Sequence, residues 1–412
     1  MKIAPLLVAL ALAGAIAVPA AAQDQPVTIR AASAFDGKGA SIDRPVITVQ
    51  RGRIVAIEPG RPGPVTYDLG ELTLLPGLID THVHLITHFG KDGRASSRGE
   101  TPEQSILYEA ENAWVTLMAG YTTLQSIGSP SDVDVRDAIA RGVFPGPRLL
   151  TSIRPIDENT GTPDEIRAFV RQLKADGADL VKLFASASIR VGGTQTMSDE
   201  QIAAACGEAR ALGLRSWVHA HAASAMRAAA LAGCTTVTHG SQATDEVMRL
   251  MAERGTFFEP NIGLVSQNYL DNKSKYLGVG NFNEEGFAFT EKGIPMKLEM
   301  FGRALKIRGL RLLMGTDAGA GAHGRNAEET IYRVLTADQP ARDALVQTTS
   351  ENAASLGLAD RIGALAPGMD ADIIAVQGNP LQDITALRRV TFVMRGGTVY
   401  KHVAPAAGPA GQ

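Results

Sequence analysis

The spacing of apolar positions changes several times along the chain. Near the start, segments 27–31, 45–50 and 53–57 are short β-patterned pieces separated by glycines, which predicts strands of a small antiparallel sheet. Segments of the same kind return at the far end, over 371–376, 390–396 and 398–402. The two ends therefore read as one small β domain split by a long insertion. Within the insertion, strand and helix alternate. Thr162-Pro-Asp-Glu165 opens a helix, with Thr as N-cap, Pro at the first position and Glu three residues on. Ile166, Phe169, Val170 and Leu173 follow at helical spacing, and Gly177 stops the run. Ser198 and Gln201 form a second capping box, with Gly213 after its helix. Strands are expected at 78–84, 121–126, 148–151, 179–184, 215–219, 235–239, 256–260 and 311–316. Eight βα units of this length predict an α/β fold: a (β/α)8 barrel of the TIM type, with a small β-sandwich domain built from both chain ends.

Composition narrows the class. The chain has 412 residues, 40 Lys+Arg against 43 Asp+Glu, and a net charge of −3. That length supports a large core and more than one domain. A balanced charge without a basic stripe argues against nucleic acid. No internal apolar run is long enough to span a bilayer. Lys2, the apolar run 6–18, Pro19 and Ala20-Ala21-Ala22 have the layout of a cleavable signal peptide over 1–22, so a periplasmic or secreted location is expected. The expected organisation is then 23–76 and 356–403 for the β domain, 77–355 for the barrel, and a disordered Ala/Pro/Gly-rich tail over 404–412. Cys206 and Cys234 sit in half-buried segments, which favours free buried thiols over a pair. Homo-oligomerisation stays open.

In a parallel barrel, chemistry gathers at the C-terminal ends of the strands. There the first expected strand carries His82 and His84, which share a face because side chains alternate. Lys182 lies in the fourth, inside Leu-Val-Lys-Leu-Phe. His219 ends the fifth and His239 the sixth, and Asp317 lies in Gly-Thr-Asp-Ala-Gly319 at the eighth. Each residue has an ordinary alternative: a hydrogen-bonded histidine, a helix-capping aspartate, a snorkelling lysine. An ammonium inside an apolar strand, however, costs several kcal/mol unless it is neutralised or paired. The six together point to a metal site.

With these residues in hand, the sequence resembles the amidohydrolase superfamily, in particular its imidazolonepropionase and Xaa-Pro dipeptidase-like branch. The resemblance rests on Leu75-Pro-Gly-Leu-Ile-Asp-Thr-His-Val-His84, Val181-Lys-Leu-Phe184, Val218-His-Ala-His221, Val237-Thr-His-Gly240, Gly315-Thr-Asp-Ala-Gly319 and Gly368-Met-Asp-Ala-Asp372. It implies a binuclear site holding two divalent ions, zinc by preference. His82, His84 and Asp317 would hold one ion, His219 and His239 the other, and Lys182, carboxylated by CO2, would bridge them. It also implies hydrolysis of a peptide or amide bond by a bridging hydroxide, with Asp317 carrying the proton to the leaving nitrogen. Dipeptides of the Xaa-Pro type, N-acyl amino acids and bulky aromatic amides are the expected substrates. A cyclic-amide or lactone hydrolase, a deaminase, and a metal-binding protein without turnover are the alternatives.

Around the site, His221 reads as a second-sphere or substrate-facing residue, and His323 as a substrate contact or a loop residue. Arg190 and Arg154 are the candidate cations to meet a substrate carboxylate, with an ordinary solvated arginine as the alternative for each. Segment 152–161 is short for the branch. Segment 261–309 is long and carries Tyr269, Tyr276, Phe282, Phe287 and Phe289, which either line the pocket or pack the insertion down.

Overall fold

The computed structural model describes residues 25–403. The signal-peptide segment and the 404–412 tail lie outside the described residues. Two parallel sheets carry the middle of the chain. The first orders Arg148–Thr151, Tyr121–Ser126 and Leu78–Val83. The second orders Pro155–Ile156, Leu180–Phe184, Arg215–Ala220, Thr236–His239 and Phe257–Glu259. Their register sets Lys182 beside Trp217, Phe184 beside His219 and Ala220 beside His239.

The strand expected over 311–316 is not continuous. Leu312 bridges to Phe258 and Ala318 to Val83, both parallel, so this segment ties the last strand of one sheet to the edge strand of the other. Side chains take the place of its ladder partners. The Thr316 amide donates to Asp80 Oδ1, and Asn352 accepts from the Met314 amide while donating to its carbonyl. At the opposite seam the Asp179 amide donates to Thr151 O.

The helices begin where their caps require. Thr162 with Glu165 and Ser198 with Gln201 form reciprocal capping boxes at the helices Pro163–Ala175 and Asp199–Ala211. A third box, Thr101 with Gln104, opens Pro102–Met118. The two cysteines correct the expectation of free thiols: Cys206 and Cys234 form a disulfide. Cys206 lies on Asp199–Ala211, and Cys234 follows the next helix, Ala223–Ala232. Packing of these neighbours brings the two Cα atoms to 5.1 Å, within bridging range, a proximity that a separation of 28 residues does not reveal.

The chain ends meet in a six-stranded sheet. In it Thr398–His402, Val390–Arg395 and Ile373–Val376 join Thr73–Pro76, Ser33–Phe35 and Ser41–Asp43. A four-stranded sheet of Arg53–Pro59, Pro45–Gln50, Val27–Arg30 and Tyr67–Asp68 completes this region. Ile29, Ile47 and Ile54 of the smaller sheet share one apolar cluster with Leu74, Ile373 and Phe392 of the larger. Pairing is mostly antiparallel, but Ser33–Phe35 runs parallel to Thr73–Pro76, and Val27–Arg30 to Tyr67–Asp68. Arg148, on a parallel strand, reaches Asp370 and Asp372 at 2.9 and 2.8 Å and fastens the two regions together. No helix among the described residues is long and apolar enough to cross a membrane.

Candidate metal centre and its pocket

Alternation along the strands builds the site. Leu180, Trp217, Phe257, Leu313 and Ile127 form a buried apolar cluster. Two residues further along three of those strands stand Lys182, His219 and Glu259, on the same face. His239 has the wrong parity, since Val237 packs into the outer core. Its φ of 71° breaks the strand and turns the imidazole to within 4.4 Å of the His219 ring, centroid to centroid. Gly240, which follows, has no room for a side chain, because a Cβ there would meet the Phe258 ring at 2.5 Å. Asp317 also has positive φ, 54°. Both are costly conformations for residues with a Cβ, held by their surroundings.

Two groups of ligand-capable atoms result, each within 4.8 Å: His82, His84 and Asp317, and His219, His221 and His239. Asp317 Oδ1 lies 3.1 Å from His84 Nε2 and 3.4 Å from His82 Nε2. His82 Nδ1 meets Glu259 Oε1 at 2.7 Å, which fixes its proton there and leaves Nε2 facing the site. Thr81 donates to the other Glu259 oxygen. Gly315 makes room for this carboxylate: a Cβ there would stand 2.3 Å from Glu259 Cδ. Buried His82 Nε2 and Lys182 Nζ have no hydrogen-bond partner. Two orphaned nitrogens beside a carboxylate and clustered imidazoles form a donor set that fits divalent metal.

Electrostatics agree with that fit. Burial, then Lys182, lowers His82; burial, then His221 and Lys182, lowers His219; burial, then His219, lowers His239. All three shifts favour the neutral imidazole that a metal ligand needs. Burial would push Asp317 up, but His82, His84 and Lys182 outweigh it and hold the carboxylate well below its usual range. Burial brings Lys182 down to about 8, against the pull of Asp317 and Glu259.

A cavity of about 870 Å³ opens over these groups, large enough for a dipeptide-sized ligand. Its wall includes Tyr269, Tyr276 and Phe282, packed ring to ring at 4.8–5.0 Å, so part of the 261–309 insertion shapes the pocket. Phe287 is instead buried beneath Phe282, and Phe289 is partly exposed. The insertion is helical, over Leu264–Asp271, Lys273–Tyr276 and Glu284–Ala304.

His221 faces the pocket, with its Nδ1 on Ser241 Oγ at 3.0 Å, and burial, then Lys297, brings it down to about 3. Arg190 also faces it, laid over Phe282 at 4.0 Å with Nε donating to Asn281 Oδ1. Two expected substrate contacts lie elsewhere. Arg154 pairs with Asp176 and covers Phe169 on the outside, because the strand end that precedes it points its side chain at the neighbouring helix. His323 Nε2 lies 3.2 Å from Thr87 O, where it serves its loop. His88, given no role from sequence, lines the pocket between Ile86 O and Glu100. Glu259 and Lys297 were missed. Glu259 could have been noticed as a carboxylate ending an apolar strand; Lys297, on an insertion helix, carried no signal.

Comparison with known proteins gives the same kinship. The Amidohydrolase family model matches residues 73–400. An ochratoxinase from Aspergillus niger is 26% identical over 392 residues, covering 82% of this chain and 77% of that protein. An imidazolonepropionase from Sphingopyxis alaskensis is 24% identical over 383 residues, covering 81% and 86%. The crystal structure of a Xaa-Pro dipeptidase with bound methionine in the active site superposes with a TM-score of 0.82 at 29% identity, covering 92% of this chain and all of that one. The chain belongs to the amidohydrolase family.

Proposed function

We propose that the chain hydrolyses an amide or peptide bond in a dipeptide, the Xaa-Pro type included, or in an N-acyl amino acid, using two divalent metal ions. The observation that carries this reading is the convergence of two ligand-capable groups beside Lys182, whose buried Nζ has no partner. The similarity to an ochratoxinase and a Xaa-Pro dipeptidase supports amide and peptide bonds. In this reading the two parallel sheets and the 312–318 segment close a (β/α)8 barrel over 77–355. The sheets of 23–76 and 356–403 pack as a sandwich beside it.

His82, His84 and Asp317 would hold one ion, and His219 and His239 the other, with His221 near enough to contribute. Zinc suits this mixture of imidazole and carboxylate. An amine brought down to about 8 keeps a neutral fraction that can take up CO2, and a carbamate on Lys182 would supply anionic oxygen ligands where an ammonium would be repelled. Bound metals supply Lewis-acid polarisation of the scissile carbonyl and lower the pKa of water. Asp317, beside both His82 and His84, would accept a proton from the attacking water and return it to the leaving nitrogen. The aromatic wall would shield the scissile bond from water.

Elemental analysis of the purified mature protein should find about two metal ions per chain, removed by chelation along with activity. Lys182→Ala should lose metal and reduce turnover by about a hundredfold or more. Full metal content and full activity in that variant would overturn the bridging role. Turnover of cyclic imides but no linear amide would move the substrate to the cyclic class.

A further inference from the structure

The helix Glu284–Ala304 carries a lysine at a position that should be apolar. Lys297 is 5% exposed, and its helix buries Phe287, Gly293, Met300 and Phe301 along the same length. An ammonium so buried costs several kcal/mol unless it is fully satisfied. Here the satisfaction is partial: Nζ donates to Ser266 Oγ at 2.9 Å and lies 3.4 Å from Asn261 O. No carboxylate among the described residues comes within 4.0 Å of it. Helix packing alone would be served by Met or Gln at this position. The side chain instead lines the cavity above the candidate metal centre, and its field acts on His221.

Arg190 faces the same cavity from the turn after Leu180–Phe184. Its Nε is taken by Asn281, and its plane rests on Phe282 and Tyr269. It too has no carboxylate partner within 4.0 Å among the described residues. Two cations with no carboxylate within 4.0 Å thus share one pocket wall, one of them nine-tenths buried. Asp157 and Glu158 also line the pocket, on the segment before the helix Pro163–Ala175.

We infer that Lys297, with Arg190, forms an anion subsite that grips the free carboxylate of the substrate's leaving amino acid. The enzyme would then act on acids with an unblocked C-terminus and discriminate against their amides and esters. The inference rests on the hydrolase reading only for which bond is cut; the anion site stands on its own geometry. A carboxylate supplies the acceptor that Nζ lacks and offsets its burial, and the adjacent aromatic wall takes the side chain. A charge-assisted hydrogen bond in a buried site corresponds to about ten- to a hundredfold in affinity.

The test compares metal-loaded protein with amino acids and their carboxamides by titration calorimetry, using phenylalanine, methionine and proline. Wild type should bind the free acid about ten- to a hundredfold more tightly than the matching amide. In Lys297→Met that preference should fall to within about threefold, in Lys297→Arg it should persist, and Arg190→Gln should reduce it partly. Equal binding of acid and amide by wild type, or no binding of any acid, overturns the subsite. So does full preference in Lys297→Met with wild-type metal content and melting curve. Should Lys297→Met fail to fold, the wild-type comparison and Arg190→Gln decide. Acid preference without turnover of any amide would remove the proposed function and leave the subsite. Turnover of blocked amides as fast as free acids would remove the subsite and leave the function.

Discussion

Glu259 illustrates how much of this site is set by single residues that touch no substrate. Its two oxygens take His82 Nδ1 and Thr81 Oγ1, so one carboxylate fixes the tautomer and tilt of a candidate ligand. Glu259→Gln keeps the shape but removes the charge that strengthens that hydrogen bond. It should weaken metal affinity about ten- to a hundredfold in chelator competition, with secondary structure intact. Unchanged affinity would show that His82 needs no orienting partner. At this scale the sequence was readable wherever a residue was out of keeping with its strand, as with Lys182 in an apolar run. It was unreadable where position alone makes the role, as with Lys297. Arg154 shows the converse: an arginine after a strand end looks the same in sequence whether it faces the pocket or the neighbouring helix.

Among elements, the contact between Pro102–Met118 and Asp132–Ala140 is held by a carboxyl pair. Glu109 accepts from Ser131 Oγ at 2.6 Å, and Asp132 accepts from Thr151 Oγ1 and the Ser129 amide. Burial, then Asp132, pushes Glu109 from its ordinary 4.5 up to about 9. The folded chain therefore keeps a proton that the unfolded chain releases. Stability from this pair is complete below pH 4.5 and is lost as pH rises toward 9. Glu109→Gln mimics the protonated form. Between pH 5.5 and 8.5 its Tm should fall several degrees less than that of wild type, as followed by circular dichroism. Parallel pH dependence in the two proteins would show that the pair does not share a proton. Element identity followed from local signals, since both expected capping boxes formed and seven of the eight expected parallel strands run unbroken. The eighth did not, because Asp80 and Asn352 replace its ladder with side-chain hydrogen bonds contributed from distant segments.

For the whole molecule, the joining of the two chain ends accounts for the architecture. Thr73–Pro76 pairs with Ile373–Val376 across about 300 residues, and the Arg148–Asp370–Asp372 contacts brace that sheet against the parallel strands. The Cys206–Cys234 disulfide favours an oxidising compartment, and together with the N-terminal leader pattern it supports a proposal of export. N-terminal sequencing of exported protein should begin near Gln23, and denatured, unreduced protein should give no reaction with a thiol reagent. Protein that retains Met1 in the cytosol with two reactive thiols would refute export.

By itself the sequence determined the class of fold and the candidate ligand set. Both are written in short-range patterns: apolar period, caps, and the unusual placement of His, Lys and Asp at strand ends. The tertiary structure alone decided which groups meet across segments. It paired Cys206 with Cys234, set Glu259 against His82, turned Arg154 outward and brought Lys297 into the pocket. Those outcomes depend on how helices pack on strands and where an inserted helix comes to rest. Local periodicity carries no record of either, because it states which face of an element is buried but not what that face will touch.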